Sequence, residues 1–375
     1  MSKEAASREV VLVTGFPRLV ARLVVDELLT RSPTRRVRLL AREKFMADAE
    51  TFVRRSVDSS RVELIEGDAA SIDLGLSGRE FRRLAAETTH IQHHANISYE
   101  GIDAKTIRAL NEQGAREMLE LARNAPKLRR LVHQSAAMVS GDRTGVVRED
   151  ELDRGQSFRT PVEESKYRAE RLMLRAANAL PVTVVRPSLI VGHSKTGEID
   201  RLDGPYLLIM LLLTSPVEIT LPMPTRGDAP LHMVPVDYVA RASVALMDDP
   251  RAVGRAFHLV DPAPMSARHV YELVARIAGR RIPRGFIPIN LTRAVLRAPG
   301  VDRIAKSPRA FLDHLATDVA YDASGTREIL GPLGIECPPF EQYAETLVAH
   351  VRERLAARRA QRAAGLGAEI EDPLA

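Results

Sequence analysis

Cysteine is almost missing: Cys337 is the single thiol in 375 residues. One thiol makes neither a disulfide framework nor a Cys-based metal site, and a reducing, cytoplasmic setting is expected. Tryptophan is absent and aromatic residues reach only 4%. With arginines mostly dispersed along the chain, this argues against nucleic acid, despite a net charge of +5 and a pI near 9.5. Only 7 of the 54 basic residues are Lys, which reads as an Arg-rich proteome; an anionic partner or a membrane surface is the alternative. Long apolar runs are missing too. Tyr206 to Leu213 is the longest and is far too short to span a bilayer, so no transmembrane segment is expected. Met1–Glu9 is polar and shows no signal peptide. No repeat appears, and no metal motif. His93 and His94 are adjacent, so on a strand they face opposite ways, and His133 and His232 lack ligand partners in the sequence.

What is present is a regular alternation. Residues 10–15, 36–42, 62–68, 90–95, 130–136 and 182–187 read as strands, and 256–260 as a later one. Helical patterns over 18–31, 43–57, 103–124 and 160–179 lie between them. Thr160, Pro161 and Glu163 carry a helix start, with Thr160 as cap and Glu163 completing a capping box. Such alternation predicts an α/β fold: a doubly wound parallel (Rossmann) sheet with right-handed crossovers. After Pro187 the texture becomes loop-like from Gly192 to Asp228 around the apolar insert, then helical from about 232 to 247 and 266 to 278. The expected division is a nucleotide-binding domain over 8–190 plus 229–262. A smaller discontinuous C-terminal substrate lobe covers 191–228 plus 263–364, and 365–375 is a flexible tail.

The first strand turns through Thr14-Gly15-Phe16-Pro17-Arg18-Leu19 into a helix. A strand, a tight turn and a helix N-terminus form a pyrophosphate cradle, normally glycine-rich so that backbone can approach phosphate. Glycine is scarce here as well. Gly15 stands alone, with Arg18 and Ala21 at the other two expected places.

The ordered set of motifs resembles the extended short-chain dehydrogenase/reductase superfamily, in its thioester-reductase and fatty-acyl-CoA-reductase (male-sterility-type NAD-binding) branch. Its carriers are Thr14-Gly15, Gly67-Asp68, Leu74 to Ser77, His93-His94-Ala95, Asn111 with Gly114, Ser165-Lys166, Ala169-Glu170, Arg186-Pro187-Ser188, Gly192 and Val234 to Ala240. The resemblance implies cofactor at the carboxyl ends of the strands. By position, Thr14, Gly15, Phe16, Pro17, Arg18 and Leu19 would meet the pyrophosphate. Asp68 and Ala69 would border the adenine. His94, Ala95 and Asn96 would line the cofactor loop, and Pro187, Ser188 and Leu189 the nicotinamide side. Arg42, closing the second strand, suits a 2′-phosphate where an acid would select the free hydroxyl, so NADP(H) is expected over NAD.

The family's proton-donating Tyr lies four residues before a Lys, on the same helix face. Here that position is Val162, ahead of Lys166, and Ala136 stands at the family's Ser/Thr place. Tyr167 is turned about 100° from Lys166. Ser135 is the neighbouring hydroxyl on the strand. Lys166, by the resemblance, would hold the nicotinamide ribose; an ion pair with Glu163 or Glu170 is the plainer reading. Lys166 and Ser135 are therefore the catalytic candidates, with ordered water or Tyr167 as other proton sources. The expected function is an oxidoreductase of lipid-type substrates, reducing a carbonyl or acyl thioester with an apolar tail bordered by the Tyr206–Leu213 insert. The alternative is a catalytically inactive nucleotide- or acyl-binding scaffold. Homo-oligomerisation is left open.

Overall fold

The computed structural model describes residues 9–98, 102–214, 226–282, 285 and 317–363; the expected tail at 365–375 lies outside them. In chain order the strands are β1 (Val10–Thr14), β2 (Arg36–Ala41), β3 (Val62–Glu66), β4 (His90–His93), β5 (Arg130–Gln134), β6 (Gly145–Val147), β7 (Val182–Pro187), β8 (Leu189–Val191), β9 (Met233–Pro235), β10 (Ala256–Leu259) and β11 (Val319–Tyr321). Seven of them form one parallel sheet in the order β10-β7-β5-β4-β1-β2-β3. Strand order reverses between β1 and β4, which opens a crevice at their carboxyl ends. The expected doubly wound sheet is the observed one.

The helices are α1 (Leu19–Arg31), α2 (Met46–Arg55), α3 (Gly78–Glu87), α4 (Ala104–Arg108), α5 (Gly114–Arg123), α6 (Pro161–Ala176), α7 (Pro205–Thr214), α8 (Val236–Asp248), α9 (Ala267–Ile277), α10 (Ser324–Leu330) and α11 (Ala344–Ala363). Alternation along each strand divides the core. Val11, Val13, Val37 and Val132 pack with α1 and α8. Leu12, Leu40, Ile91 and Leu131 pack with α3, α5 and α6. Burial on both faces explains why these strands read as continuous apolar runs. Each such side chain contributes about 1.5–3 kcal/mol of burial free energy.

α6 begins as its sequence requires, with Thr160 Oγ1 accepting the Glu163 N–H at 3.2 Å. The reciprocal arm differs from a capping box: the Glu163 carboxylate accepts from Arg159 N–H at 2.7 Å. A π-turn, Ala109–Gln113, joins α4 to α5 and carries Asn111. A separate apolar core gathers Val191, Tyr206, Ile209, Leu231, Tyr271 and Leu347. The apolar insert is thus helix α7, packed in a core. Ile329, Leu330, Ile335 and Cys337 pack instead onto the α1/α8 side of the sheet, although the sequence-drawn boundary put them in the C-terminal lobe.

Candidate functional site

The carboxyl ends of β1 to β4 enclose a cleft of about 620 Å³. Thr14, Gly15, Phe16 and Arg18 form one wall, Leu40 and Arg42 a second, and Gly67 to Ala70 a third. Ala95, Asn96, Ile97 and Leu110 close it. The Arg42 guanidinium lies 5.1 Å from the centre of the Phe45 ring, a stacking that leaves its in-plane N–H groups able to reach an anion. Asp68 accepts from the Ala70 N–H at 2.9 Å, which shapes the loop beside Ala69.

Gly15 has φ +104, and a Cβ there would lie 2.7 Å from the His94 carbonyl carbon. Glycine is required because the first turn presses on the exit of β4, whatever ligand sits above it. Thr14 Oγ1 lies 2.8 Å from His93 Nδ1. Arg18 has φ −57 and ψ 141, a conformation that any L-residue takes without strain. Its guanidinium donates to the Asn96 carbonyl oxygen at 2.5 Å. As the N-cap of α1 it provides no acceptor, and no side-chain cap forms from that position. The Leu19 N–H is instead held by both carboxylate oxygens of Asp200, at 3.0 and 2.9 Å.

At the other end of the crevice the polar groups bind one another. Lys166 Nζ donates to Asn96 Oδ1 at 2.5 Å and to the Ser135 carbonyl at 3.5 Å. Burial, with Arg18 nearby, holds its pKa well below the usual lysine value, and Glu170 only partly offsets this. Neither expected ion pair forms. Glu170 takes the Ser135 hydroxyl at 2.5 Å and both Nε and Nη2 of Arg186, at 2.8 and 2.6 Å. Ser135, expected as a proton donor, therefore has its hydroxyl committed inside a buried ion pair; only its carbonyl faces Lys166. Asn111 Nδ2 donates to Ser165 Oγ at 2.9 Å and to the Ile97 carbonyl at 3.1 Å. Val162 packs with Ile97 and Ile107 in an apolar cluster. Tyr167 packs against Phe158 with the rings tilted by 40° and their centres 4.9 Å apart. Beneath them His93 and His133 stack at 5.3 Å. Burial pushes His93 down to about 3 and His94 to about 4.

A second cavity, about 530 Å³, lies beyond β5 and β7. Pro187, Ser188, Leu189, Met138, Ser140 and Tyr321 are among its walls. Ser140 Oγ and Tyr321 Oη are 3.0 Å apart, and the Tyr321 ring is held edge-on by His232 and His258. A third, small apolar pocket is lined by Val191, Tyr206, Ile209, Met233 and Tyr271. Leu231 lines both. Among the described residues no three His, Cys, Asp or Glu side chains are placed to share a metal ion.

The male sterility protein family model matches residues 13–243. The chain belongs to this family. The male sterility fold here is similar to the crystal structure of the terminal R domain from the myxalamid PKS-NRPS pathway. The two are 26% identical with TM-score 0.80, over 94% of this chain and 92% of that one. Over 219 residues it is 28% identical to glycine betaine reductase ATRR of Emericella nidulans, covering 56% of this chain and 17% of that protein. It is 24% identical to the fatty acyl-CoA reductase wat of Drosophila melanogaster, over 63% of this chain and 53% of that protein. The chain thus spans well under two thirds of either curated relative. The UDP-glucuronic acid 4-epimerase of Bacillus cereus, solved with NAD, shares the fold at 17% identity and TM-score 0.66. This male sterility chain is a reductase-type NAD(P)-binding domain, related to thioester and acyl-CoA reductases.

The structure collects Thr14, Gly15, Phe16, Arg18, Arg42, Asp68, Ala69, Ala95 and Asn96 around one cleft. Pro17, Leu19 and His94 are not among its lining residues; the Leu19 N–H is held by Asp200, and His94 is fully buried between Gln92 and Gln134 at 3.0 and 2.6 Å. Pro187, Ser188 and Leu189 line the second cavity instead. Sequence reasoning missed Asp200, Ser140 and Tyr321. Asp200 left one trace, an N-cap arginine unable to cap its own helix. Tyr321 left none, because β11 and its neighbour β6 are three-residue strands.

Proposed function

We propose that this chain is an NADP(H)-dependent reductase of a carbonyl or acyl thioester carrying an apolar tail. Two neighbouring pockets that share Leu231 in their walls carry the reading. One, at the ends of β5 and β7, is mostly apolar with the Ser140 and Tyr321 side chains among its lining, and the other is apolar. Arg42 would take the 2′-phosphate, Asp68 and Ala69 the adenine, and Asn96 with Lys166 the nicotinamide ribose. Pro187 to Leu189 would flank the ring. When bound, the dinucleotide supplies hydride. The chain's own task is then to hold the carbonyl and give its oxygen a proton. With Val162 and Ala136 in the usual places and Ser135 bonded to Glu170, the hydroxyl pair Ser140–Tyr321 is the donor the pocket presents. A buried phenol whose pKa is raised by burial is a weak acid, so slow turnover is expected.

The test is NADPH oxidation with long-chain acyl-CoA and aldehyde substrates, comparing the native chain with Tyr321→Phe. Slow turnover that Tyr321→Phe reduces about 100-fold supports the reading. A second reading, a non-catalytic binding scaffold, is favoured by the closed network at Lys166 and by Asp200 on Leu19. Cofactor binding without turnover on any acyl or carbonyl substrate would establish it.

A further inference from the structure

We infer that Asp200 is an internal competitor for the cofactor's pyrophosphate and sets the affinity of this cleft for its dinucleotide. The inference rests on the cofactor reading above.

The first amides of a helix have no partner within it, and they mark its positive end. In a strand–turn–helix cradle those amides face the phosphates. Here Leu19 N–H already meets two carboxylate oxygens, at 3.0 and 2.9 Å, from a residue 181 positions away. A phosphate oxygen cannot share that single N–H with a carboxylate, and two anions in contact repel strongly at a half-buried site.

The contact is built, not incidental. Arg22 on α1 reaches both Glu198 at 3.0 Å and Asp200 at 3.5 Å, so the segment carrying the carboxylate is tied to the helix it caps. That segment is braced from behind. The Ser194 N–H and hydroxyl donate to the Asp237 carboxylate, each at 2.8 Å. Arg354 on α11 donates to the Ile199 carbonyl at 2.9 Å. Across the turn, Arg18 donates to the Asn96 carbonyl, so the cradle is spanned on that side as well. Dinucleotide binding therefore has to expel Asp200 from Leu19.

The experiment titrates NADPH into the native chain, Asp200→Asn and Asp200→Ala, following nicotinamide fluorescence, with Tm recorded without ligand. Asp200→Ala should bind NADPH at least about tenfold tighter, while its unliganded Tm falls by a few degrees through loss of the cap. Asp200→Asn keeps an acceptor for Leu19 but no charge. It should gain affinity while holding Tm, and it serves if the Ala variant folds poorly. Equal or weaker binding in both variants overturns the role of Asp200 and leaves the cofactor reading standing. Failure of all three proteins to bind at millimolar NADPH overturns both.

Discussion

At one end of the crevice, Arg42, Asp68 and Ala69 border open space. At the other, Asn96, Ser135, Lys166, Glu170 and Arg186 satisfy one another. Both ends hang from the same sheet edge, so the backbone does not account for the contrast. The difference lies in what each side chain meets. A group that waits for a ligand must stay unpaired or solvated, and an unpaired polar group becomes costly once it is buried. The inner end, where Val162 and Ala136 also lie, has closed its hydrogen bonds internally. The outer end borders a cleft open to solvent.

The contrast breaks first if the inner network is cut. Glu170 is wholly buried and Arg186 nearly so. Glu170→Ala should cost about 3–5 kcal/mol, because it strands a buried guanidinium; urea unfolding measures this. A loss under 1 kcal/mol would mean that the inner end is not a closed structural unit.

Acid should act next, and on the same end. The folded chain holds His93 at about 3 and His94 at about 4, against 6.5 ordinarily. Above pH 6.5 neither state is protonated and nothing is lost. As pH falls below 6.5 the unfolded chain takes protons that the folded chain refuses, so stability drops steadily towards pH 4. Tm measured from pH 7 to 4 should fall, and His94→Gln should flatten the curve. A native profile without a slope would refute the sign.

The smallest effect belongs to the open end. Arg42→Ala should leave Tm within a few degrees, the usual range for a substitution at a half-exposed position. It should weaken NADPH binding about tenfold with NADH unaffected. Parallel titrations with both dinucleotides sharpen the comparison: equal loss for both would mean that Arg42 does not read the 2′-phosphate.

The outline of the cleft was legible because its parts are local. Gly15, Asp68 and Asn96 sit at strand ends, and strand ends follow from apolar runs and turn residues. Glu170 and Arg186 were legible as motif members, yet not as each other's partners. The helical spacing of Lys166 and Glu170 suggested an ion pair, and Arg186 won the carboxylate from the neighbouring strand with two N–H donors. Ser135 likewise read as a candidate donor or as a Ser bonded to local backbone, because nothing in its strand names its partner on α6.

The sequence by itself determined the parallel sheet, the alternation of its strands and helices, and the single-glycine turn. Each of these follows from residue type and spacing along a few turns of chain. Tertiary structure alone decided that Asp200 caps α1, that Lys166 turns to Asn96, and that Tyr321 meets Ser140. Those pairs are 181, 70 and 181 residues apart. A hydrogen bond over such a separation depends on where whole elements pack, and no local pattern of residues encodes it.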